Sequence, residues 1–101
     1  MDRFLMRQYY VYILSNQRYG VLYVGMTNDL ARRIFAHQQK LADGFTKSYG
    51  VVHLVYFEEF SSVDEARARE PSLKRWRRAW KLKLVDVFNP EWSDLAKDIA
   101  A

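Results

Sequence analysis

Two tyrosine-centred triads near the start of the chain predict a β-hairpin. Tyr10-Val11-Tyr12 is followed by Tyr23-Val24-Gly25, eleven residues later when counted from Tyr12 to Tyr23. The flanking segments, 9–14 and 21–24, are β-branched and aromatic, which favours strands. The polar stretch between them ends in a glycine, as a tight connection should. We therefore expect two tyrosines side by side on neighbouring strands, with a sharp turn after Gly25.

The rest of the chain predicts a third strand and several helices. Residues 27–29 offer N-caps for a helix that runs to about Lys40. Val51–Phe60 is too apolar for a half-exposed edge and is expected to be the most buried strand. Ser62 and Glu65 fit a capping box for a helix through Arg69, and Pro71 should end that helix.

A clearer helix is expected from Ser72 onwards, with an apolar stripe that should form its core face. Asn89-Pro90 would stop this helix, and Glu91–Ile99 is long enough for a short terminal one. The stripe consists of Leu73, Trp76, Trp80, Leu84 and Val87. The predicted fold is α+β, a small three-stranded, mainly antiparallel sheet flanked by helices.

Length and composition favour one domain spanning residues 1–101. Half of the residues are hydrophobic and 16% are aromatic, which is ample for one sheet covered by helices. The apolar runs fall short of the roughly 20 residues that a membrane helix needs, and residues 1–8 lack the features of a signal peptide. The absence of cysteine excludes disulfides and thiolate metal sites. A cytoplasmic location and no membrane partner are expected.

Basic residues are concentrated in one segment. The formal net charge is only +4, but the segment from Arg67 to Lys83 holds eight basic residues and a single acid, Glu70. Such a segment neutralises phosphates, although a solvated helix face gives the same pattern. The candidates for contact with nucleic acid are Lys74, Arg75, Arg77, Arg78 and Lys81.

An arginine and a histidine follow the two triads on the predicted helix. Arg33 comes ten residues after Tyr23, and His37 follows four residues later, so the two share one side of the helix. Taken singly, each is ordinary: strand tyrosines are usually core residues, and a lone helix arginine or histidine is usually at the surface. Two phenols beside a guanidinium, however, suit a site that cleaves phosphodiesters.

The chain resembles the GIY-YIG nuclease superfamily, in particular its small stand-alone bacterial members, and is similar to the N-terminal nuclease domain of the excision-repair incision subunit. Both triads match the family's loosely spelt pattern, with Tyr10 where the family name has glycine. The resemblance runs from about Tyr9 to Leu95. Its further motifs are Tyr10–Leu14, Phe45–Tyr49, Arg69-Glu70, Leu73–Arg78 and Asn89–Trp92.

The resemblance implies a metal-dependent endonuclease and assigns roles within it. Tyr12 and Tyr23 would orient or deprotonate the attacking water, and Arg33 would pair with phosphate oxygens. Glu70 would hold a single Mg²⁺ or Mn²⁺ ion. His37 is an alternative general base to Tyr12, because imidazole titrates near neutrality.

Three further residues receive roles in the site. Asn89 would position phosphate or a tyrosine hydroxyl. Lys47 and Tyr49, in a polar loop, would contact the substrate or close the site.

The substrate is expected to be DNA, with RNA not excluded. A chain of this size offers little surface for base readout, so structure-directed or weakly specific cleavage is expected, in repair or recombination, with a protein recruiter as one option. Pro71, directly after the proposed metal ligand, departs from the family pattern. It keeps open a first alternative, a nucleic-acid-binding module that cuts poorly. The aromatic surface and the terminal helix leave a second alternative, a protein-interaction adaptor.

Overall fold

A hairpin of two strands opens the fold, as predicted. The computed structural model describes residues 8–39 and 50–99, and within them β1 (Tyr9–Ser15) pairs antiparallel with β2 (Leu22–Thr27). The connection is closed by the Gly20 amide, which donates to the Gln17 carbonyl at 2.9 Å, and by the Asn16 side chain, which accepts from the Val21 amide. The expected turn after Gly25 is wrong, because β2 continues to Thr27.

The third strand, β3 (His53–Phe60), pairs antiparallel with the other side of β1. The strand order is therefore β2-β1-β3, and all pairing is antiparallel. The expectation that Val51–Phe60 is the most buried strand is wrong. The central strand β1 has five consecutive buried residues, whereas β3 is an edge strand that is buried only in part.

The first helix, α1 (Leu30–Gln38), follows β2 after two residues. Asp29 caps it, because its side chain accepts a hydrogen bond from the Arg32 amide at 3.2 Å. Leu30 and Ile34 are buried on its core face, as the spacing predicted. The predicted end at Lys40 lies outside the described residues.

The second helix passes through the proline that was expected to end it. α2 runs from Val63 to Arg75 with Pro71 inside, and the Ser62 hydroxyl caps it by accepting from the Glu65 amide. Proline costs a helical hydrogen bond. Burial of Ala66 and Leu73, on either side of Pro71, favours the continuous helix.

The break between helices comes at Trp76 and Arg77 instead. Both have ψ near 147°, which is extended backbone, and α3 then runs from Arg78 to Phe88. A short helix, α4 (Ala96–Ile99), closes the described chain and starts five residues later than the predicted Glu91. No helix of the described part is long and apolar enough to cross a bilayer.

The two faces of the sheet hold two separate cores, because side chains alternate along each strand. The face of Val11 and Ile13 packs against α2 and α3. The face of Tyr12 and Leu14 packs against α1 and α4.

The predicted apolar stripe is only partly a core. Leu73 is buried and Trp76 packs partly against the first core, but Trp80 is 53% exposed and Val87 is 73% exposed. The stripe assumed one continuous helix, whereas the break at Trp76-Arg77 divides it between two.

Candidate active site

Tyr12 and Gly25 lie directly opposite each other on β1 and β2. A Cβ atom at position 25 would come within 2.5 Å of both Cζ and the hydroxyl oxygen of Tyr12, so the ring lies across the glycine backbone. Tyr23, two residues before Gly25, faces the same side of the sheet. Gly25 is therefore needed for a close approach rather than for a turn.

A chain of hydrogen bonds joins α1 to this tyrosine. Arg33 Nε donates to the Tyr12 hydroxyl at 3.3 Å, and the same hydroxyl lies 3.2 Å from His37 Nε2. Tyr12 is fully buried and His37 is 1% exposed, whereas Arg33 is half-buried. The helical spacing of four thus brings both predicted α1 residues to one phenol.

Tyr23 completes the cluster from the neighbouring strand. Its ring centroid lies 6.4 Å from that of Tyr12 and 5.4 Å from that of His37. Tyr23 is only half-buried, so of the two triad tyrosines it is the one that solvent reaches. The structure therefore brings four predicted residues together: Tyr12, Tyr23, Arg33 and His37.

The ionisation of Tyr12 is strongly suppressed. Burial raises the pKa of Tyr12 from 10.0 to about 12, and the nearby Arg33 guanidinium only partly offsets that effect. The hydrogen bond to Tyr12 in turn raises the pKa of Arg33, with a smaller contribution from Tyr23. At neutral pH the site holds a protonated phenol beside a permanent cation.

Glu70 lies on α2, which packs on the opposite face of the sheet. Its negative charge is nevertheless one of the effects that raise the pKa of Tyr12, so the carboxylate lies within electrostatic reach of the phenol. Glu70 Oε2 pairs with Lys74 Nζ at 3.1 Å, one helical turn further on. Pro71 has not removed Glu70 from the helix.

A single carboxylate fits a Mg²⁺ site that relies on water and phosphate for its other ligands. Glu70 retains 25% side-chain exposure, which leaves room for such ligands. Within residues 8–39 and 50–99, no three His, Cys, Asp or Glu side chains come together as a protein-only cage. The donor set fits a hydrated ion held by one residue.

A neighbouring pair fixes the orientation of the Arg69-Glu70 segment. Arg69 makes a two-pronged contact with Glu58 on β3, with distances of 2.8 and 2.7 Å, and the Tyr56 hydroxyl donates to the same carboxylate. The Arg69 guanidinium also lies 4.9 Å from the ring centroid of Trp76. Sequence reasoning missed Glu58, because nothing local indicates that β3 and α2 meet there.

Asn89 is 5% exposed and holds the turn after α3. Its Nδ2 donates to the Val55 carbonyl at 3.1 Å and to the Ser93 carbonyl at 2.9 Å, while its Oδ1 accepts from the amide and hydroxyl of Ser93. These four bonds use the hydrogen-bonding capacity of the amide. The structure does not bring Asn89 together with the tyrosine cluster.

The predicted basic surface is divided by the helix break. Arg75 and Arg77 are exposed, whereas Arg78 Nη2 donates to the carbonyls of Tyr19 and Gly20 at 2.6 and 2.8 Å. Lys81 Nζ donates to the Lys74 carbonyl at 3.0 Å. Lys74 is paired with Glu70, so three of the five predicted phosphate contacts have hydrogen-bond or ion-pair partners within the protein. Lys47 and Tyr49 lie outside the described residues.

A polar cavity of about 470 Å³ opens beside Arg33 at the start of α1. Arg32 and Arg33 both line it, together with the residues that precede the helix. Two guanidinium groups here suit an anionic ligand. The sequence motifs did not single out Arg32.

Comparison with known proteins agrees with this geometry. A model of the GIY-YIG catalytic domain matches residues 8–83. The chain belongs to the GIY-YIG family. The resemblance inferred from the motifs is confirmed, and membership of this nuclease family implies a nucleic acid substrate.

The similar proteins are small and bacterial. UPF0213 protein CPE1444 of Clostridium perfringens is 39% identical over 90 residues, covering 89% of this chain and 96% of that protein. UPF0213 protein SSP2268 of Staphylococcus saprophyticus is 38% identical over 80 residues, covering 79% and 96%. The solution NMR structure of UPF0213 protein BH0048 from Bacillus halodurans aligns with a TM-score of 0.55 and 31% identity, covering 93% of this chain and 99% of that one. The predicted α+β class is confirmed.

Proposed function

We propose that this protein is a metal-dependent endonuclease that hydrolyses phosphodiester bonds in DNA. The proposal rests on one observation above the others: the Arg33–Tyr12–His37 hydrogen-bonded chain, with Tyr23 on its exposed side. The family match alone supports a nuclease fold and does not describe the chemistry of the site. This buried chain supplies a fixed cation and a path for a proton, which hydrolysis of a phosphodiester needs.

Arg33 is the phosphate-binding group in this proposal. Its Nε is held by Tyr12, so the guanidinium plane is fixed before substrate arrives. Arg33 also lines the polar cavity at the start of α1. A fixed fork stabilises charge that develops on the phosphate without reorganising during the reaction.

Tyr12 and His37 are buried in the free protein, so substrate binding must first open a path from the rim at Tyr23 to the Tyr12 hydroxyl. The proton of the attacking water then passes to the Tyr12–His37 pair. With a pKa of about 12, roughly one Tyr12 phenol in 10⁵ is ionised at pH 7, so a preformed phenolate is a poor base. Tyr12 can give its hydroxyl proton to His37 Nε2 while the Tyr12 oxygen accepts a proton from water. In that case no phenolate has to accumulate. The hydroxide forms its bond to phosphorus as the bond to the leaving oxygen breaks. Tyr23, at the rim, orients the water.

Glu70 holds the divalent ion in this scheme, and a bound Mg²⁺ or Mn²⁺ would stabilise the leaving oxygen. Lys74 must release Glu70 before the ion enters. The Glu58 pair keeps the segment in place while this exchange occurs, because Arg69 is held by two hydrogen bonds. Structure-directed cleavage in repair or recombination suits a domain with so little surface for reading bases.

Incubation of the purified protein with plasmid, single-stranded, branched and RNA substrates tests the proposal. We expect cleavage of DNA that requires Mg²⁺ or Mn²⁺ and stops with chelator. Tyr12→Phe and Arg33→Ala serve as matched inactive variants, so a contaminating nuclease is recognised. Equal cleavage by wild type and both variants would contradict the proposal.

A second candidate is a nucleic-acid-binding module with little cleavage. The Lys74–Glu70 ion pair favours it, because a lysine ammonium already neutralises the carboxylate that would bind the ion. Binding without products at saturating Mn²⁺, in wild type and in Lys74→Gln alike, would support this candidate.

A further inference from the structure

An exposed aromatic groove lies on α3, away from the tyrosine cluster. Trp76, Trp80, Leu84 and Val87 form its apolar lining, with Lys83 at its margin. Trp80 and Val87 are more than half exposed, whereas Trp92 is buried with its indole nitrogen bonded to Asp86. A small protein rarely exposes so much of a tryptophan side chain within an apolar groove, so this groove is a candidate binding surface.

The margin of the groove is positively charged. The Arg77 guanidinium carbon lies 5.3 Å from the ring centroid of Trp80, and Arg75 and Lys83 are exposed nearby in the chain. From Arg75 to Lys83 all charged residues are basic. An occupant must therefore combine negative charge with flat apolar surface.

We propose that this groove binds unpaired nucleotides of the nucleic acid substrate. A base stacks on the exposed part of the Trp80 ring, while its phosphates meet Arg77 and Lys83. Aromatic rings within a basic groove bind single strands in this way, and every base has a face that can stack. The inference rests on the proposed function and adds the substrate class, a strand with unpaired nucleotides.

The position of the groove suits that substrate. Trp76, which lines the groove and directly follows the last residue of α2, lies six residues beyond Glu70, which is about 9 Å along a helix axis. An unpaired strand on the groove would thus extend towards the proposed metal ligand, as in a branched or flapped duplex.

Charge and shape disfavour other occupants. A second copy of the chain would bring the same basic margin against this one, and like charges repel. An acidic peptide would satisfy the charges but has no requirement for an aromatic floor. Aliphatic substitution at Trp80 separates these cases, because it keeps apolar surface and removes the stacking face.

Binding of an eight-nucleotide single strand in chelator, followed by fluorescence anisotropy, is the test. Trp80→Ala should weaken binding about 5- to 100-fold, the cost of losing one stacked base. Trp80→Phe should retain most of the affinity and Trp80→Leu should lose it. Phe35→Ala, an equally exposed aromatic on α1 outside the groove, should bind like wild type. Far-ultraviolet circular dichroism confirms the fold of each variant.

Two further arms identify what is bound. A strand of abasic nucleotides, with the same phosphates and no bases, should bind wild type as weakly as a normal strand binds Trp80→Ala. Deoxyuridine and uridine strands, which differ only in the sugar, show whether the groove favours DNA or RNA. Equal affinity of wild type, Trp80→Ala and Trp80→Leu for the normal strand would overturn the proposal, as would binding of an acidic peptide or of anionic vesicles in preference to both strands.

The test also separates the two proposals. Binding is measured in chelator, where the metal-dependent nuclease does not act. If single-strand binding does not depend on Trp80, the groove proposal fails and the proposed nuclease activity is unaffected. Conversely, Trp80-dependent binding of single strands by a protein that cleaves nothing would retain the groove and overturn the nuclease.

Discussion

The Tyr12 ring lies across Gly25, so close that a single added methyl group would meet its hydroxyl at 2.5 Å. Gly25→Ala should therefore displace Tyr12 from Arg33 and His37 and reduce kcat by roughly 10²-fold or more, the scale for losing one aligned group. Substrate affinity in chelator should change little, since Arg33 remains. Normal turnover by a folded Gly25→Ala protein would mean that Tyr12 acts from another position.

Arg33 and its neighbour Arg32 offer a matched pair of substitutions. Both line the polar cavity, but only Arg33 bonds to Tyr12. We expect Arg33→Ala to lower kcat by roughly 10²-fold or more, whereas Arg32→Ala should lower affinity with kcat preserved. Single-turnover kinetics at saturating DNA measures the difference. Equal effects on kcat would show that Arg33 only attracts substrate.

Glu70 should be separable from its partner Lys74. Glu70→Ala should abolish metal-dependent cleavage while folding and DNA binding in chelator persist, and Glu65→Ala on the same helix should cleave normally. Lys74→Gln removes the cation that competes for the carboxylate, so half-maximal activity should need several-fold less Mn²⁺. If Lys74→Gln requires more metal, the ion pair assists binding of the ion instead.

The raised pKa of Tyr12 predicts that the protein loses stability in alkali. The pKa of Tyr12 is about 12 in the folded protein and 10.0 in the unfolded chain. Its contribution to the free energy of unfolding is therefore fully present below pH 10 and is lost as pH rises from 10 towards 12. The total is roughly 3 kcal/mol, from the difference between these two pKa values. Urea unfolding between pH 9 and 11.5 should show a shallower decline for Tyr12→Phe than for wild type. Parallel declines would mean that Tyr12 ionises normally in the folded protein.

The exposed and the bonded arginines of the basic segment should behave differently. The double substitution of Arg75 and Arg77 by Gln should reduce the log–log salt slope of duplex binding by about 1.8, or about 0.9 for each phosphate contact. Arg78→Gln should instead destabilise the fold by about 1 kcal/mol, because it frees two hairpin carbonyls. If the salt slope of duplex binding is unchanged in the double variant, Arg75 and Arg77 do not contact phosphates and this part of the basic segment is only a solvated surface.

The sequence predicted those features that depend on local patterns. The hairpin, the α1 cap and the meeting of Tyr12, Tyr23, Arg33 and His37 all follow from spacing within the 29 residues from Tyr9 to His37. The central place of β1 depends on pairing with a strand forty residues away, which alternation alone does not reveal. Pro71 was overestimated as a helix breaker because burial of residues on both sides of it was not visible in the sequence.

Side-chain partners across the fold were likewise hidden. Arg78 was predicted to face phosphate, but it is held by the hairpin turn 58 residues earlier. The stripe that contains Trp80 was predicted to be core, and a two-residue break left that ring exposed. The partners and the exposure of long polar and aromatic side chains depend on tertiary contacts, whereas the signals for strands and helix caps are local.

Strand β2 separates the two halves of the candidate site. Tyr23 packs in the core that α1 covers and the adjacent Val24 packs in the core that α2 covers, so the helices that carry Arg33 and Glu70 lie on opposite faces of one edge strand. In the proposed nuclease, the spacing between Arg33 as phosphate ligand and Glu70 as metal ligand is then set by the thickness of a single strand and not by any loop. Changes in the hairpin turn should leave that spacing intact, whereas a change of side-chain size along β2 acts on both groups at once.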